Sequence, residues 1–287
     1  MRLVQIPVAD RPECIAALQY AFQIAQCTGA DVRGFHLRAH RSDPTNVRAG
    51  LVFPQSLTGD IDWSATEREA IKSSRSAAHL FEEAVSSAGL EISKKPRKDL
   101  SPVALWQERV GTPHHVMPII GPTADLMVVS RPAKKGGKKA TAFLMQALLN
   151  SHCPVLIVPG KATKTVGRNI LVAWNNSCES ARLVHGILPL MKSADRVTFA
   201  TVGRVGSSGP NVQEMMHFLA HHGIKAEKLN IKSGEPETEL IKAMNTAGAD
   251  LLAMGAYSRN RMSQTLFGGV TRHMLFKADK PVLMLHS

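Results

Sequence analysis

Ala249-Asp250-Leu251-Leu252-Ala253-Met254-Gly255 opens the stretch whose reading decides the fold. Ala249 to Met254 has the apolar character of a short buried strand. Gly255, Ser258 and the pair Gly268-Gly269 punctuate the segment after it, and an apolar helix begins at that pair. Lys280-Pro281-Val282-Leu283-Met284-Leu285 is a second strand. A strand that feeds a glycine-bearing loop and then a helix start suits an anion. Glycine lets backbone N–H groups approach closely, and the helix N-terminus adds partial positive charge.

Upstream of this stretch, strands and helices alternate. Asn169 to Trp174 is an apolar strand, followed by the turn Asn175-Asn176-Ser177. Glu179 to Met191 has helical periodicity, with Ala181, Val184, Leu188 and Met191 on one face and Ser177 as its N-cap. Arg196 to Val202 and Lys225 to Ile231 read as strands. Val212 to His222 and Glu237 to Ala247 read as helices stopped by Gly223 and Gly248. Such alternation predicts α/β architecture: a parallel sheet, helices on both faces, right-handed crossovers.

The first half repeats the pattern. Leu3 to Val8 and Asp31 to Leu37 are strands, Glu13 to Thr28 and Ala65 to Ala88 are helices, and Leu90 to Lys94 is expected as the third strand. Ala124-Asp125-Leu126-Met127 mirrors Ala249-Asp250-Leu251-Leu252, and Pro154-Val155-Leu156 mirrors Pro281-Val282-Leu283. The expectation is two tandem doubly wound units, residues 1–160 and 168–287, with Pro159 to Arg168 as the linker. The prolines suggest that each last strand is an edge strand. Residues 38–63 form an insertion with little periodicity.

Composition narrows the function classes. A hydrophobic fraction of 44% supports packed cores. There is no apolar run long enough for a transmembrane helix. Cys14, Cys27, Cys153 and Cys178 lack CxxC spacing and read as reduced cytoplasmic thiols. The net charge of +12 raises nucleic acid as a partner. Aromatics are only 5%, too few for the stacking that single strands need, so that partner is disfavoured. The dense basic cluster Lys134-Lys135-Gly136-Gly137-Lys138-Lys139 lacks Walker A spacing and reads as a solvated loop. His114-His115 and His221-His222 are adjacent pairs, which point apart and make no natural chelate. No Ser-His-Asp set, paired carboxylates or HExxH is legible, so neither a catalytic residue nor a metal site is expected.

The positions of Gly255 and Gly268, with their neighbours, resemble the universal stress protein family. Its nucleotide-binding members carry glycine, two residues, glycine, nine residues, then glycine followed by Ser or Thr. Ser258 stands where the second glycine belongs, and Gly269 where Ser or Thr belongs. The resemblance implies a five-stranded, mostly parallel sheet in each unit, paired through the last strand, here within one chain. It also implies an adenine nucleotide, ATP with magnesium, in the second unit. By that resemblance Ala173, Asn175, Val202 and Met254 would surround the base and ribose. Gly255, Ser258, Arg259, Gly268, Gly269, Val270 and Thr271 would surround the phosphates. In the first unit Ser130 and Phe143 replace the two glycines, and Asp10 falls one residue late for the acidic position. The implied function is a cytoplasmic, non-catalytic stress-response protein. An interaction module with both sites vestigial, a basic nucleic-acid-associated protein and a further homodimer remain open.

Overall fold

Each half opens on a five-residue strand with its middle three residues buried: β1 (Leu3–Pro7) and β7 (Asn169–Ala173). The computed structural model describes residues 1–38, 63–97, 101–132, 137–203, 206, 208–256 and 269–286. The first half continues with α1 (Pro12–Thr28), β2 (Asp31–Arg38), α2 (Trp63–Ser87), β3 (Glu91–Ile92) and β4 (Val103–Val110). After these come α3 (Pro113–Ile120), β5 (Leu126–Ser130), α4 (Gly137–Asn150) and β6 (Val155–Val158). The second half adds α5 (Cys178–Gly186), α6 (Leu188–Lys192), β8 (Arg196–Val202), α7 (Val212–His221) and β9 (Ala226–Ile231). It closes with α8 (Pro236–Thr246), β10 (Leu251–Ala256), α9 (Gly269–Phe276) and β11 (Val282–His286).

The strands form one eleven-stranded sheet in the order β3-β4-β2-β1-β5-β6-β11-β10-β7-β8-β9. Neighbours are parallel except β6 and β11, which run antiparallel with Leu283 opposite Leu156. The two last strands therefore fuse two doubly wound halves into one sheet. β6 and β11 are each the edge of their own half, as the prolines suggested, and pair with each other as the resemblance implied, which makes them interior to the whole sheet. Pro154 and Pro281 lie one residue before the ladder, where the missing N–H costs nothing. Their carbonyls still accept, from Met127 N at 2.9 Å and Leu252 N at 3.1 Å.

Two expectations need correction. The first half contributes six strands, not five. The strand beside β2 is β4, while the segment expected as the third strand shrinks to the two-residue edge β3. β4 is buried only at Val103 and Ala104, and its short apolar run ends at Trp106 before Gln107-Glu108-Arg109, so its pattern in sequence is weak. The helix expected over Glu179 to Met191 is two helices, broken at Ile187 just before Pro189. Insertion residues 39–62 and basic-cluster residues 134–136 lie outside the described residues.

The repeated Ala-Asp pair has a shared structural task. Asp125 Oδ2 accepts from Arg2 N at 2.6 Å and Leu3 N at 3.0 Å. Asp250 Oδ1 accepts from Gly167 N at 3.0 Å and Asn169 N at 3.1 Å, and Oδ2 from Arg168 N at 3.2 Å. Each carboxylate thus ties down the amino end of its half's first strand with charge-assisted bonds.

Apolar side chains cover both faces of the sheet. One core joins Val4, Ile6, Val172 and Phe199 to Leu18 of α1 and Phe81 of α2. The other joins Met127, Val129, Leu252 and Met254 to Leu144 of α4, Leu240 of α8 and Met274 of α9. Arg131, one residue past β5, is buried and crosses between the halves. Its Nε donates to Leu275 O at 2.9 Å, Nη2 to Met274 O at 3.2 Å, and Nη1 to Ala278 O. A first-half guanidinium therefore caps the C-terminus of α9.

Candidate functional site

In an open α/β sheet, a crevice forms beyond the carboxyl ends of the strands where the strand order reverses. The second half reverses between β10 and β7, and Met254 lies opposite Ala173 there. Met254 is buried, and Ala173, Val202 and Val270 pack against the same core. The structure thus gathers four of the expected residues on one face of the sheet, at the end of three strands and the start of α9.

Gly255 has a specific reason to be glycine. A Cβ there would lie 3.1 Å from Ser180 N and 3.3 Å from Glu179 Cβ, tight against the first turn of α5. The end of β10 and a helix N-terminus therefore meet at close range. α5 itself starts as the sequence indicates, with Ser177 Oγ accepting from Ser180 N at 3.2 Å. Asn175 is half-buried, and its Oδ1 accepts from Ser180 Oγ at 2.7 Å. Beside it, Asn176 takes a φ of +54°, and its buried Oδ1 has no hydrogen-bond partner among the described residues. One acceptor of the turn is committed and the other is available.

Gly269, Val270 and Thr271 form the first turn of α9, with Thr271 buried. Ser258, Arg259 and Gly268 lie outside the described residues, so the phosphate side of the expected site is not placed. Cys178 is exposed at the first residue of α5, and its Sγ contacts Ser208 O at 3.3 Å. Among the described residues no group of three His, Cys, Asp or Glu side chains is placed to hold a metal. The apolar strand ends, the available Asn176 acceptor and the α5 N-terminus fit a base with a polar edge.

Sequence reasoning missed three features. Ser180 stands at the capping-box position three residues after Ser177, but its bond to Asn175 is not announced by that position. Arg131 reads in sequence as a loop residue. A cavity in the first half sits at the equivalent reversal, between β1 and β5. Asp10, exposed, is not among the residues that line it.

A chain with two strand-order reversals in one sheet, its strand ends facing helices, belongs to the doubly wound α/β class. Residues 167–286 match the model of the universal stress protein family, so the second half carries that family's domain. It is 27% identical over 104 residues to a universal stress protein from Methanocaldococcus jannaschii, covering 36% of this chain and 64% of the relative. It is 32% identical over 57 residues to the stress response protein NhaX of Bacillus subtilis, covering 20% and 34%. The matches thus span less than two thirds of each relative's length. The crystal structure of a universal stress protein from Archaeoglobus fulgidus superposes with a TM-score of 0.70 at 15% identity, covering 99% of this chain and 98% of that one. A functionally unknown protein from Pseudomonas aeruginosa gives 0.53 at 16%, covering 100% and 92%. These two likenesses establish the fold. Among the described residues no helix is long and apolar enough to cross a membrane.

Proposed function

We propose that this chain acts as a cytoplasmic, non-catalytic stress-response module that holds an adenine nucleotide in its second half. The observation that carries the reading is the meeting of Ala173, Val202, Met254 and Val270 at the β10–β7 reversal, beside the α5 first turn that Gly255 admits. The base would lie against the apolar strand ends, with Asn175 and Asn176 at its polar edge. The phosphates, with magnesium, would face the start of α9, where Gly268 and Gly269 would leave backbone N–H groups accessible. No nucleophile, base or acidic pair stands among the expected site residues, so retention of the nucleotide is favoured over turnover.

Calorimetric titration with ATP and magnesium tests this. The wild type should bind one equivalent, and Gly268→Val should lose the heat of binding while keeping its thermal transition. Undiminished affinity in Gly268→Val would remove the site from the second half. A wild type that binds nothing would favour the alternative of an interaction module with vestigial sites.

A further inference from the structure

The first half's strand-order reversal, between β1 and β5, carries a cavity of about 580 Å³. That volume lies within the roughly 300–1,000 Å³ of small-molecule sites. We propose that this cavity binds a neutral, predominantly apolar small molecule with one hydroxyl or amine hydrogen-bond donor, a different ligand class from the nucleotide proposed for the second half.

Four observations lead there. The walls are apolar, with Val8, Phe35, Leu37, Val129 and Phe143 among them. The room that phosphates would need is taken up by helix. Phe143, which by its spacing from the strand end takes the place of Gly268, lies inside α4, with Gly137 to Ala142 before it in the helix. A bulky aromatic thus replaces a glycine, and an N–H six residues into a helix is not free to bind an anion.

Charge points the same way. Arg131, the guanidinium nearest in sequence to the end of β5, is spent on the carbonyls of the α9 C-terminus. Among the described residues, the charged ones that line the cavity, Arg11 and Glu13, are opposite in sign.

His36 sets the polar requirement. The residue lines the cavity and is only 7% exposed. Its Nδ1 lies 2.8 Å from Val8 O. A carbonyl only accepts, so Nδ1 carries the hydrogen, and in the uncharged ring Nε2 is an acceptor. Nε2 has no hydrogen-bond partner among the described residues. An acceptor in the wall of an apolar cavity, with no partner among the described residues, selects a ligand that donates, since an apolar ligand would leave it unsatisfied.

Equilibrium dialysis of the full chain with 1-naphthol and with its isostere 1-methylnaphthalene tests the proposal. The wild type should bind one 1-naphthol per chain, and ATP with magnesium should not displace it. Ala142→Trp and Gln146→Trp, two changes from helix α4 into the cavity, should each weaken binding at least about tenfold by filling the space. His36→Phe should weaken 1-naphthol by about three- to tenfold, the scale of one neutral hydrogen bond, and leave 1-methylnaphthalene unchanged. Absence of saturable 1-naphthol binding, or its displacement by ATP, would overturn the proposal. So would binding that neither tryptophan variant affects, or equal weakening of both probes by His36→Phe. Because the second half's ATP titration is read separately through Gly268→Val, either reading can fail without the other.

Discussion

Replacing Arg131 with alanine should loosen the seam between the two halves. The guanidinium bonds three carbonyls at the end of α9 with Nε, Nη1 and Nη2, and a fourth, Lys280 O, lies 3.4 Å from Nη2. Those carbonyls include the unpaired acceptors of a helix C-terminus, where the dipole also favours a cation. A hydrogen bond from a charged donor contributes about 1.5–3 kcal/mol. Opposing this is the cost of burying the charge, which lowers the Arg131 pKa from 12.5 to about 10, with nearby Asp279 acting in the other direction. A shift of that size corresponds to roughly 3 kcal/mol. Three charged bonds against that cost leave a net loss of about 1.5–6 kcal/mol for Arg131→Ala. For a chain of this length, that is a fall in Tm on the order of 3–10 °C by calorimetry. Lysine carries the charge without the fork and should recover less than half of the loss. The guanidinium is protonated throughout the neutral range, so the deficit should be constant from about pH 6 to 8. A loss below about 1 kcal/mol, or full recovery by lysine, would refute the capping argument.

Asp250→Ala removes three strand-end bonds and should cost about 2–4 kcal/mol in denaturant unfolding, with Asp125→Ala costing less because it loses two. Gly121→Ala would place a Cβ 2.2 Å from Ser151 O, a backbone atom, and should lower Tm more than Gly89→Ala, where a Cβ meets nothing but the φ is +68°. If the position of Ser258 needs a glycine, as the family spacing implies, Ser258→Gly should tighten ATP binding about five- to thirty-fold, the scale of about 1–2 kcal/mol for a side chain where glycine belongs. Equal or weaker binding would show that the serine hydroxyl contributes contacts of its own. His286 has a pKa lowered from 6.5 by burial first and by His152 second. The unfolded chain therefore takes up a proton that the native state resists, and stability is lost as pH falls below about 6.5. His286→Gln should flatten that part of the pH profile, and an unchanged slope would assign it to other groups.

Much of the architecture was legible because its signals are local. Buried strands such as Leu251–Ala256 are apolar throughout, and Ser177 and Gly223 mark helix ends by their own backbone chemistry. β4 was not legible, because its apolar run is only the four residues Val103 to Trp106 before Gln107-Glu108-Arg109 turns it polar. The pairing of β6 with β11 was legible only through the family resemblance, since the prolines mark the start of each last strand and not its partner. In the second-half site, Ala173, Met254 and Gly255 could be placed by counting from strand ends. Ser180 and Asn176 could not, because their roles depend on how the turn after β7 closes over α5. The first-half cavity escaped for a similar reason. Phe143 reads as the loss of a phosphate glycine, and only the fold shows that the position has become an apolar wall.

Native mass spectrometry of the purified full chain tests the central claim most directly, because it reports retained nucleotide and subunit count together. The account predicts one adenine nucleotide per chain, absent from Gly268→Val and retained by His36→Phe. A protein free of nucleotide that also takes up none when ATP and magnesium are added would contradict it, as would a nucleotide retained by Gly268→Val.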